Sequence, residues 1–499
     1  MLSAVEGLKI ASAAFKPYTA YIAAGILFVL FAVQRLGTAK LGGAFGVLMA
    51  AWFLIIGVFG LAGIWRNPHV LVAVNPTYAA MFLANHGFGS FGILGAVFLC
   101  VTGSEAMYAD LGHVGRARIR VAWLVLVLPA LLLNYAGQAA VLSEQGDGSD
   151  QPFFALVPQM VLYPVVGLAT LATIVASQAI ISGAYSMTRQ AVQLGWMPGL
   201  RIVQTSPDEY GHLYVPLVNW LMMLLTLTLT LTFGSSDRLA GAYGVAVSAT
   251  SLATTALLYR VMRATWRWRF ASAICVLAFF LVIDVSFFTG NAAKIADGGR
   301  VPLLVAAALY AIMTSWRDGT DALDREQDRD RVTVAHFVRQ LRERKIPRHK
   351  GAAFFLTRLQ ATVPPAIANH VRQFGAFYEQ VVALTVCFSQ SRPRIAPQQR
   401  IALRELGPGF WHLTITFGFM DVPDVPRALN AAETKCPFDM DEALYFSERD
   451  RIEPRRLKPR LAEWRRRIFA FLYRNSLHPA DHFNLPASKF VQITRARQL

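Results

Sequence analysis

The sequence predicts a polytopic α-helical membrane protein over residues 1–316 with a small mixed α/β domain over residues 317–499. The first observation is charge. Of 48 Lys+Arg and 31 Asp+Glu in 499 residues, residues 1–316 hold 17 and 11, and residues 317–499 hold 31 and 20. The second density is that of an ordinary soluble domain; the first is far below it. The second observation is a series of runs free of Asp, Glu, Lys and Arg: 17–34, 41–65, 67–104, 121–143, 151–188, 210–236, 239–259 and 301–316, with 270–289 interrupted only by Asp284. A helix needs about 20 apolar residues to cross about 30 Å of hydrocarbon. A composition that is 55% hydrophobic with four widely spaced cysteines excludes disorder, collagen and a disulfide-stapled secreted domain.

Nine spans follow, near 18–33, 41–64, 85–103, 121–142, 161–186, 215–233, 240–260, 271–289 and 301–316. Met1 opens no signal peptide, because there is no basic leader and Glu6 and Lys9 interrupt the short apolar stretch from Ala4 to Phe15. With the charged tail taken as cytoplasmic, loops on its side carry 11 basic residues: Arg35, Lys40, Arg116, Arg118, Arg120, Arg189, Arg201, Arg260, Arg263, Arg267 and Arg269. Opposite loops carry four, Arg66, Arg238, Lys294 and Arg300, together with the acidic Glu144, Asp147 and Asp150. This bias is the positive-inside pattern. Nine spans then place residues 1–17 outside, an awkward start without a signal, and that parity predicts upstream sequence containing an odd number of spans.

Beyond Trp316 a charged linker leads to strand-like runs at Ala352–Leu356, Val381–Phe388, Ile401–Leu406 and Trp411–Phe417, the last two joined by a Gly407-Pro408-Gly409 turn. Asp424–Ala432 and Leu457–Tyr473 fit helices. In the second, Trp464 precedes Arg465, Arg466 and Arg467, which read either as a solvated helix face or as a contact to anionic lipid. The excess of basic residues in both parts is what positive-inside topology requires, so no nucleic acid partner is expected.

Inside the spans, chemistry concentrates where the apolar rule breaks. A carboxylate at bilayer depth costs at least about 2.5 to 3.5 kcal/mol and should face a bundle interior or a water-filled cavity. Thr102-Gly103-Ser104-Glu105-Ala106-Met107-Tyr108-Ala109-Asp110 ends the third span. There Gly103 loosens the helix, so freed carbonyls, the Thr102 hydroxyl and the Glu105 carboxylate could surround a hard cation. Alternatively Glu105 and Asp110 mark a helix end paired with Arg116 or Arg118. Asp284, in the eighth span, either serves the same kind of site or reaches the outer surface. Tyr243, in a glycine-rich span start, is a ligand or an interfacial aromatic. The stretch from Ala176 to Gly183 lines a pathway or packs helices through small residues. His113 relays protons or caps a helix end.

Enzyme-like patterns fail on context. Gly87-Phe88-Gly89-Ser90-Phe91-Gly92 has the letters of a dinucleotide fingerprint but opens a membrane helix and follows no strand. There is no Walker loop, no His pair at metal-ligand spacing and no Cys-x-x-Cys, so no enzyme activity, cofactor or resident metal is expected.

The run from Thr102 to His113 closely resembles the bacterial KUP-type (KUP/HAK/KT) potassium uptake proteins. So, in order, do Ala176 to Gly183, Thr188-Arg189-Gln190-Ala191, Tyr214 to Trp220, Ala242 to Val247 and Phe410-Trp411. The resemblance implies a proton-coupled potassium importer of the bacterial inner membrane. It would have an inverted-repeat core of the amino-acid/polyamine/organocation type, a cytoplasmic C-terminal domain, and potassium, protons and the bilayer as its partners, with a homodimer allowed. Carried over residue by residue, Thr102 and Tyr243 would be potassium ligands, Glu105 an ion-coordinating or proton-coupling acid, and Asp284 a second proton-coupling acid. The chain departs from the family at its start. The first two helices, their Gly-Asp-x-Gly-Thr-Ser-Pro-Leu-Tyr motif and the acidic start of the third are absent, and Met1 to Leu8 matches only the third helix's end. The core is therefore expected to be truncated, and the chain by itself is expected not to move potassium. Against the transporter stand two other classes, a non-transporting remnant or regulatory partner of an intact transporter, and a membrane enzyme, which the missing catalytic constellation disfavours.

Overall fold

The structure, a computed structural model, describes residues 1–36, 42–103, 115–145, 151–205, 213–296 and 298–329, and in the tail 337, 339, 343, 346–357, 367, 370–371, 375–389, 392, 394–418, 421, 423–431, 438, 442–453, 462–476 and 483–498. Two compact units emerge: Met1–Ser186 with Pro216–Ala308, and Met187–Val215 with Leu309–Leu499.

The first unit is helical. Its elements are α1 (Leu2–Ala11), α2 (Thr19–Val33), α3 (Gly42–Arg66), α4 (Pro76–His86), α5 (Phe91–Cys100) and α6 (Arg116–Ala122), which runs through a π turn at Trp123–Val127 into α7 (Leu128–Gln145). After the short α8 (Pro152–Ala155) come α9 (Leu162–Gln193), α10 (Pro216–Phe233), α11 (Ser236–Ala264), α12 (Phe270–Ala292) and α13 (Arg300–Arg329), with α9 and α13 continuing into the second unit. Among the described residues, six helical stretches are long and apolar enough to cross a membrane: Gly43–Arg66, Arg116–Glu144, Gln159–Gln193, Pro216–Phe233, Ser236–Ala264 and Phe270–Ile295. Thr19–Val33 and Phe91–Cys100 are shorter apolar helices.

The expected third span, 85–103, is not one helix. Gly87 takes a left-handed φ of +49°, a 3-10 turn follows at Gly87–Ser90, and α5 stops at Cys100 before Gly103 at φ +112°. Ten residues of α5 rise about 15 Å, half the hydrocarbon thickness. The expected ninth span, 301–316, lies on α13, which continues as helix to Arg329 and is not one of these six stretches.

Because lipid is as apolar as leucine, helices here associate through close backbone approach and polar contacts. Gly60 of α3 sits against the backbone of Leu133 and Asn134, and a Cβ at Gly137 of α7 would lie 2.6 Å from the Gly60 Cα. A Cβ at Gly95 of α5 would lie 2.7 Å from the Gly290 carbonyl oxygen of α12. Gln34 and Gln178 are both buried and exchange amide hydrogen bonds, with Gln178 Nε2 donating to Gln34 Oε1 at 3.0 Å. Asn219, fully buried on α10, accepts from the Tyr185 hydroxyl at 2.6 Å and donates to the Phe31 carbonyl at 3.2 Å, tying α9 and α2 to α10.

In the second unit β1 (Val203–Gln204) pairs with β2 (Leu213–Tyr214). The tail holds a six-stranded sheet of order β5-β6-β4-β3-β7-β8. Its strands are β3 (Arg348–Leu356), β4 (Phe377–Phe388), β5 (Ile401–Gly407), β6 (Phe410–Phe417), β7 (Leu444–Glu453) and β8 (Phe490–Gln498). All neighbours are parallel except the β5–β6 hairpin, whose turn contains Gly409 at φ +74°. Both faces of a parallel sheet must be covered, hence the near-continuous apolar runs. Phe354, Val382 and Leu384 face one core with Val425 and Leu429 of α14 (Val425–Asn430); Phe355, Val381 and Ala383 face another with Phe337 and Ile367. Asp424 caps α14 by accepting from Arg427 N at 2.9 Å. The expected helix over Leu457–Tyr473 is α15 (Glu463–Arg474), and residues 454–461 lie outside those described.

Replacing Gly137 with Leu should force α3 and α7 apart, costing about 1–3 kcal/mol or more. Gly46→Leu on the same α3, where a Cβ meets nothing, should be neutral. Thermal unfolding in detergent compares the two. In the tail, burial and then the neighbouring His349 hold the pKa of His370 below the ordinary histidine value, and burial and then Arg404 do the same for His412. The unfolded chain therefore takes up protons first, near pH 6.5. The contribution of these neutral imidazoles is full above that pH and falls as pH drops through it towards the folded values. Hydrogen-exchange free energies of β3 and β4, measured on the whole chain from neutral to mildly acid pH, should decline, and less so in His370→Phe.

Candidate functional site

The described sequence-predicted site residues, Thr102, Tyr243 and Asp284, fall on or next to three mutually packed pieces of the first unit: the end of α5, the first half of α11, and α12. Their contacts follow from glycine. Gly95 on α5 meets Gly290 on α12, and Gly244 on α11 lies against the Asn291 side chain, where any Cβ would collide. Asn291 is fully buried, and its Nδ2 donates to the Phe287 carbonyl at 3.0 Å while Oδ1 has no partner. Beside it Ser248, also fully buried, donates to the Gly244 carbonyl at 2.6 Å.

Thr102 is half-buried just past α5, and its hydroxyl donates to the Leu99 carbonyl at 2.8 Å. The neighbouring Cys100 carbonyl, left without a helical partner where α5 stops, accepts from the Tyr135 hydroxyl of α7 at 2.7 Å. An aromatic hydroxyl thus holds the helix end from across the bundle, a role that nothing in the local pattern around Tyr135 signals. Glu105, Asp110 and His113 lie outside the described residues. Tyr243 stands on α11 one residue before Gly244, with 40% of its surface exposed.

Asp284 lies well inside α12. It is half-buried, about 21 Å along α12 from Phe270 and about 12 Å from Ala292. Its Oδ2 accepts from the Thr255 hydroxyl at 2.6 Å. Thr255 lies on α11 more than three turns beyond Tyr243, about 18 Å away along the axis. Asp284 and Tyr243 therefore engage α11 at different depths.

A second polar centre went unread in the sequence. Glu6, which there only interrupts an apolar run, is 3% exposed. Its carboxylate accepts from Lys9 Nζ at 2.7 Å and from both the backbone N–H, at 3.4 Å, and the hydroxyl of Ser236. Ser236 opens α11, and the preceding Ser235 makes no side-chain cap. Glu6 thus places negative charge on the unsatisfied donors and positive dipole end of another helix. An open cavity of about 940 Å³ lies alongside, lined among others by Glu6, Lys9, Lys16, Gln138, Thr173 and Asp237. Its rim joins residues from the start of the chain, from Gln151–Phe154 and from Ser235–Asp237, three segments that the span count assigns to one side of the membrane. None of Thr102, Tyr243 or Asp284 lines it.

Thr255→Val should leave the Asp284 carboxylate without that donor and lower stability by about 1–3 kcal/mol, whereas Thr255→Ser should be close to neutral. Equal melting midpoints for the Val and Ser variants in detergent would show that the hydroxyl does not hold the acid.

Residues 1–321 match the family described as K+ potassium transporter integral membrane domain, and residues 350–499 the K+ potassium transporter C-terminal domain. Over 500 residues the chain is 48% identical to a probable potassium transport system protein Kup 4 of a Bradyrhizobium species, covering 100% of this chain and 78% of that protein. It is 45% identical to a probable potassium transport system protein Kup of Nitrosomonas eutropha, with 99% and 77% covered. For a probable Kup 1 of Geobacter sulfurreducens the identity is 42%, with 99% and 78% covered.

Proposed function

The chain belongs to the K+ potassium transporter family, and we propose that it carries potassium into the cell together with protons. It is a multi-pass membrane protein and not an enzyme. The observation that carries the finer reading is the Asp284–Thr255 pair: a carboxylate within an apolar helix, bonded to a neighbouring helix, on two of the three helices that the glycine contacts of α5, α11 and α12 join. An acid in that position is the kind of group that takes up and releases a proton along a transport path.

In this reading Thr102 and Tyr243 give neutral oxygens to the ion, Glu105 gives a carboxylate to the ion or the proton, and Asp284 relays the proton. The interruption of the third span, from Gly87 to Gly103, supports the ion site, because an ion in hydrocarbon needs backbone oxygens that an intact helix keeps for itself. The same reading gives the core the inverted-repeat plan of amino-acid/polyamine/organocation carriers, with residues 317–499 on the cytoplasmic face of a bacterial inner membrane, as the 11 to four basic-residue bias favours. Each positive charge moving inward gains about 2.3 kcal/mol per 100 mV, so a proton travelling with potassium doubles the electrical drive and adds any pH gradient.

The test is potassium uptake into proteoliposomes under imposed pH gradients, by the protein completed with the upstream helices that the resemblance implies. Thr102→Val and Tyr243→Phe should each raise the half-saturating potassium concentration about tenfold, the equivalent of about 1.4 kcal/mol of lost ligation, at normal protein content. Glu105→Gln should abolish acceleration by an acid exterior. Unchanged half-saturation in both hydroxyl variants would remove them from the site, and acid-stimulated uptake in Glu105→Gln would remove proton coupling from that residue.

A further inference from the structure

The helix α15, Glu-Trp-Arg-Arg-Arg-Ile-Phe-Ala-Phe-Leu-Tyr-Arg, has two unlike faces. Its inner face is fixed to α13. Phe469 is fully buried with its ring centroid 5.5 Å from that of Trp316, Tyr473 lies 6.4 Å from Trp316, and Leu323 completes the cluster. Phe469 also occupies the place a Cβ at Gly319 would need, and Arg465 pairs with Asp318 at 2.9 Å. Trp316 ends the charge-free run that begins at Val301, so with 301–316 read as the last span α13 would leave the hydrocarbon there. Leu323 is about 10 Å further along the axis, and the headgroup layer beyond the hydrocarbon is roughly 5–8 Å deep. On that reading the docking would hold α15 at headgroup depth.

The outer face carries Trp464, Arg467, Phe471 and Arg474, at spacings of three and four that align them in one stripe. Trp464 is 53% and Phe471 59% exposed. The arginine triplet is divided by this geometry: Arg465 is paired with Asp318 and Arg466 is buried, whereas Arg467 is 78% exposed at the side chain and its Glu463 partner is itself exposed. Two large aromatic rings presented to water beside a bilayer, with arginines interleaved, are the composition of an interfacial helix, in which rings enter the headgroup boundary and guanidiniums hold phosphates.

We propose that α15 rests on the membrane surface, with Trp464 and Phe471 inserted among headgroups and Arg467 and Arg474 bound to anionic lipid. Charge favours this occupant. The tail carries 31 Lys+Arg against 20 Asp+Glu, and an anionic leaflet attracts basic side chains within a Debye length of its surface.

The test uses the whole chain with its four cysteines replaced by serine and a spin label at Phe471→Cys, in nanodiscs of phosphatidylcholine with or without phosphatidylglycerol. Relaxation by oxygen against a water-soluble nickel complex reports depth. In the anionic discs the label should read as interfacial, and it should move towards water in pure phosphatidylcholine, at high salt, and in the doubly substituted Arg467→Glu, Arg474→Glu variant. A label at Arg404→Cys, on the hairpin strand β5, should stay in water throughout and shows that the fold is intact. An aqueous label at Phe471→Cys in anionic discs would overturn the proposal. So would protection independent of lipid charge that disappears when each disc holds a single chain, since that result assigns the face to a second copy.

Discussion

A polar side chain at bilayer depth has only other protein groups to bond, and the arrangement of the membrane unit depends on how that requirement is met. Apolar packing alone does not register one helix against another in lipid, because the tails offer the same surroundings everywhere. Registry comes from specific pairs: Gln34 with Gln178, Asn219 between Tyr185 and the Phe31 carbonyl, Asp284 with Thr255, and Glu6 on the first turn of α11. Asp284–Thr255 and Tyr185–Asn219 fix consecutive helices against each other, whereas Gln34–Gln178, Asn219–Phe31 and Glu6–Ser236 join segments far apart in sequence. The glycine contacts at Gly60–Gly137 and Gly95–Gly290 add close backbone approach between α3 and α7 and between α5 and α12.

Much of the membrane part was legible because its signal is additive: a charge-free run of sufficient length identifies a helix whatever its neighbours are. Each expected segment falls on helix, yet the third is divided at Gly87, where the backbone turns left-handed although hydropathy continues without change. Composition carries no record of φ. In the tail, β3 to β6 were legible as apolar runs because they lie inside a sheet covered on both faces. β7 and β8 were not. β7 begins with the apolar Leu444-Tyr445-Phe446 and continues as Ser-Glu-Arg-Asp-Arg, and β8 is an edge strand ending in Thr-Arg-Ala-Arg-Gln. Strands so rich in charge carry no sustained apolar run in the sequence, and pairing with a neighbour is what reveals them.

The candidate site was legible where a residue type was improbable for its surroundings, as with Asp284 in a span. It was illegible where the type was ordinary. Glu6 near the chain start looked like a boundary charge, and its partner at Ser236 is supplied by a helix far along the sequence. The one available signal was that Ser235-Ser236-Asp237 offers a helix start which, in the structure, makes no side-chain cap of its own at Ser235. Tyr135, bonded to the Cys100 carbonyl, belongs to the same class, since the break it serves lies in a different span. Long-range polar pairing leaves no periodicity in a single sequence.

The place where α13 leaves the apolar run explains why segment 187–215 groups with the tail. Arg317, the first charge after that run, lies with its guanidinium carbon 4.6 Å over the ring of Trp196 in that segment, while Trp316 receives Phe469 and Tyr473 of α15. Two consecutive residues of one helix thus hold a loop that precedes it and a helix that follows it. The span count expects segment 187–215 on the tail's side of the membrane. Because α13 is continuous from Arg300 to Arg329, the attachments at Trp316 and Arg317 sit side by side on one uninterrupted helix.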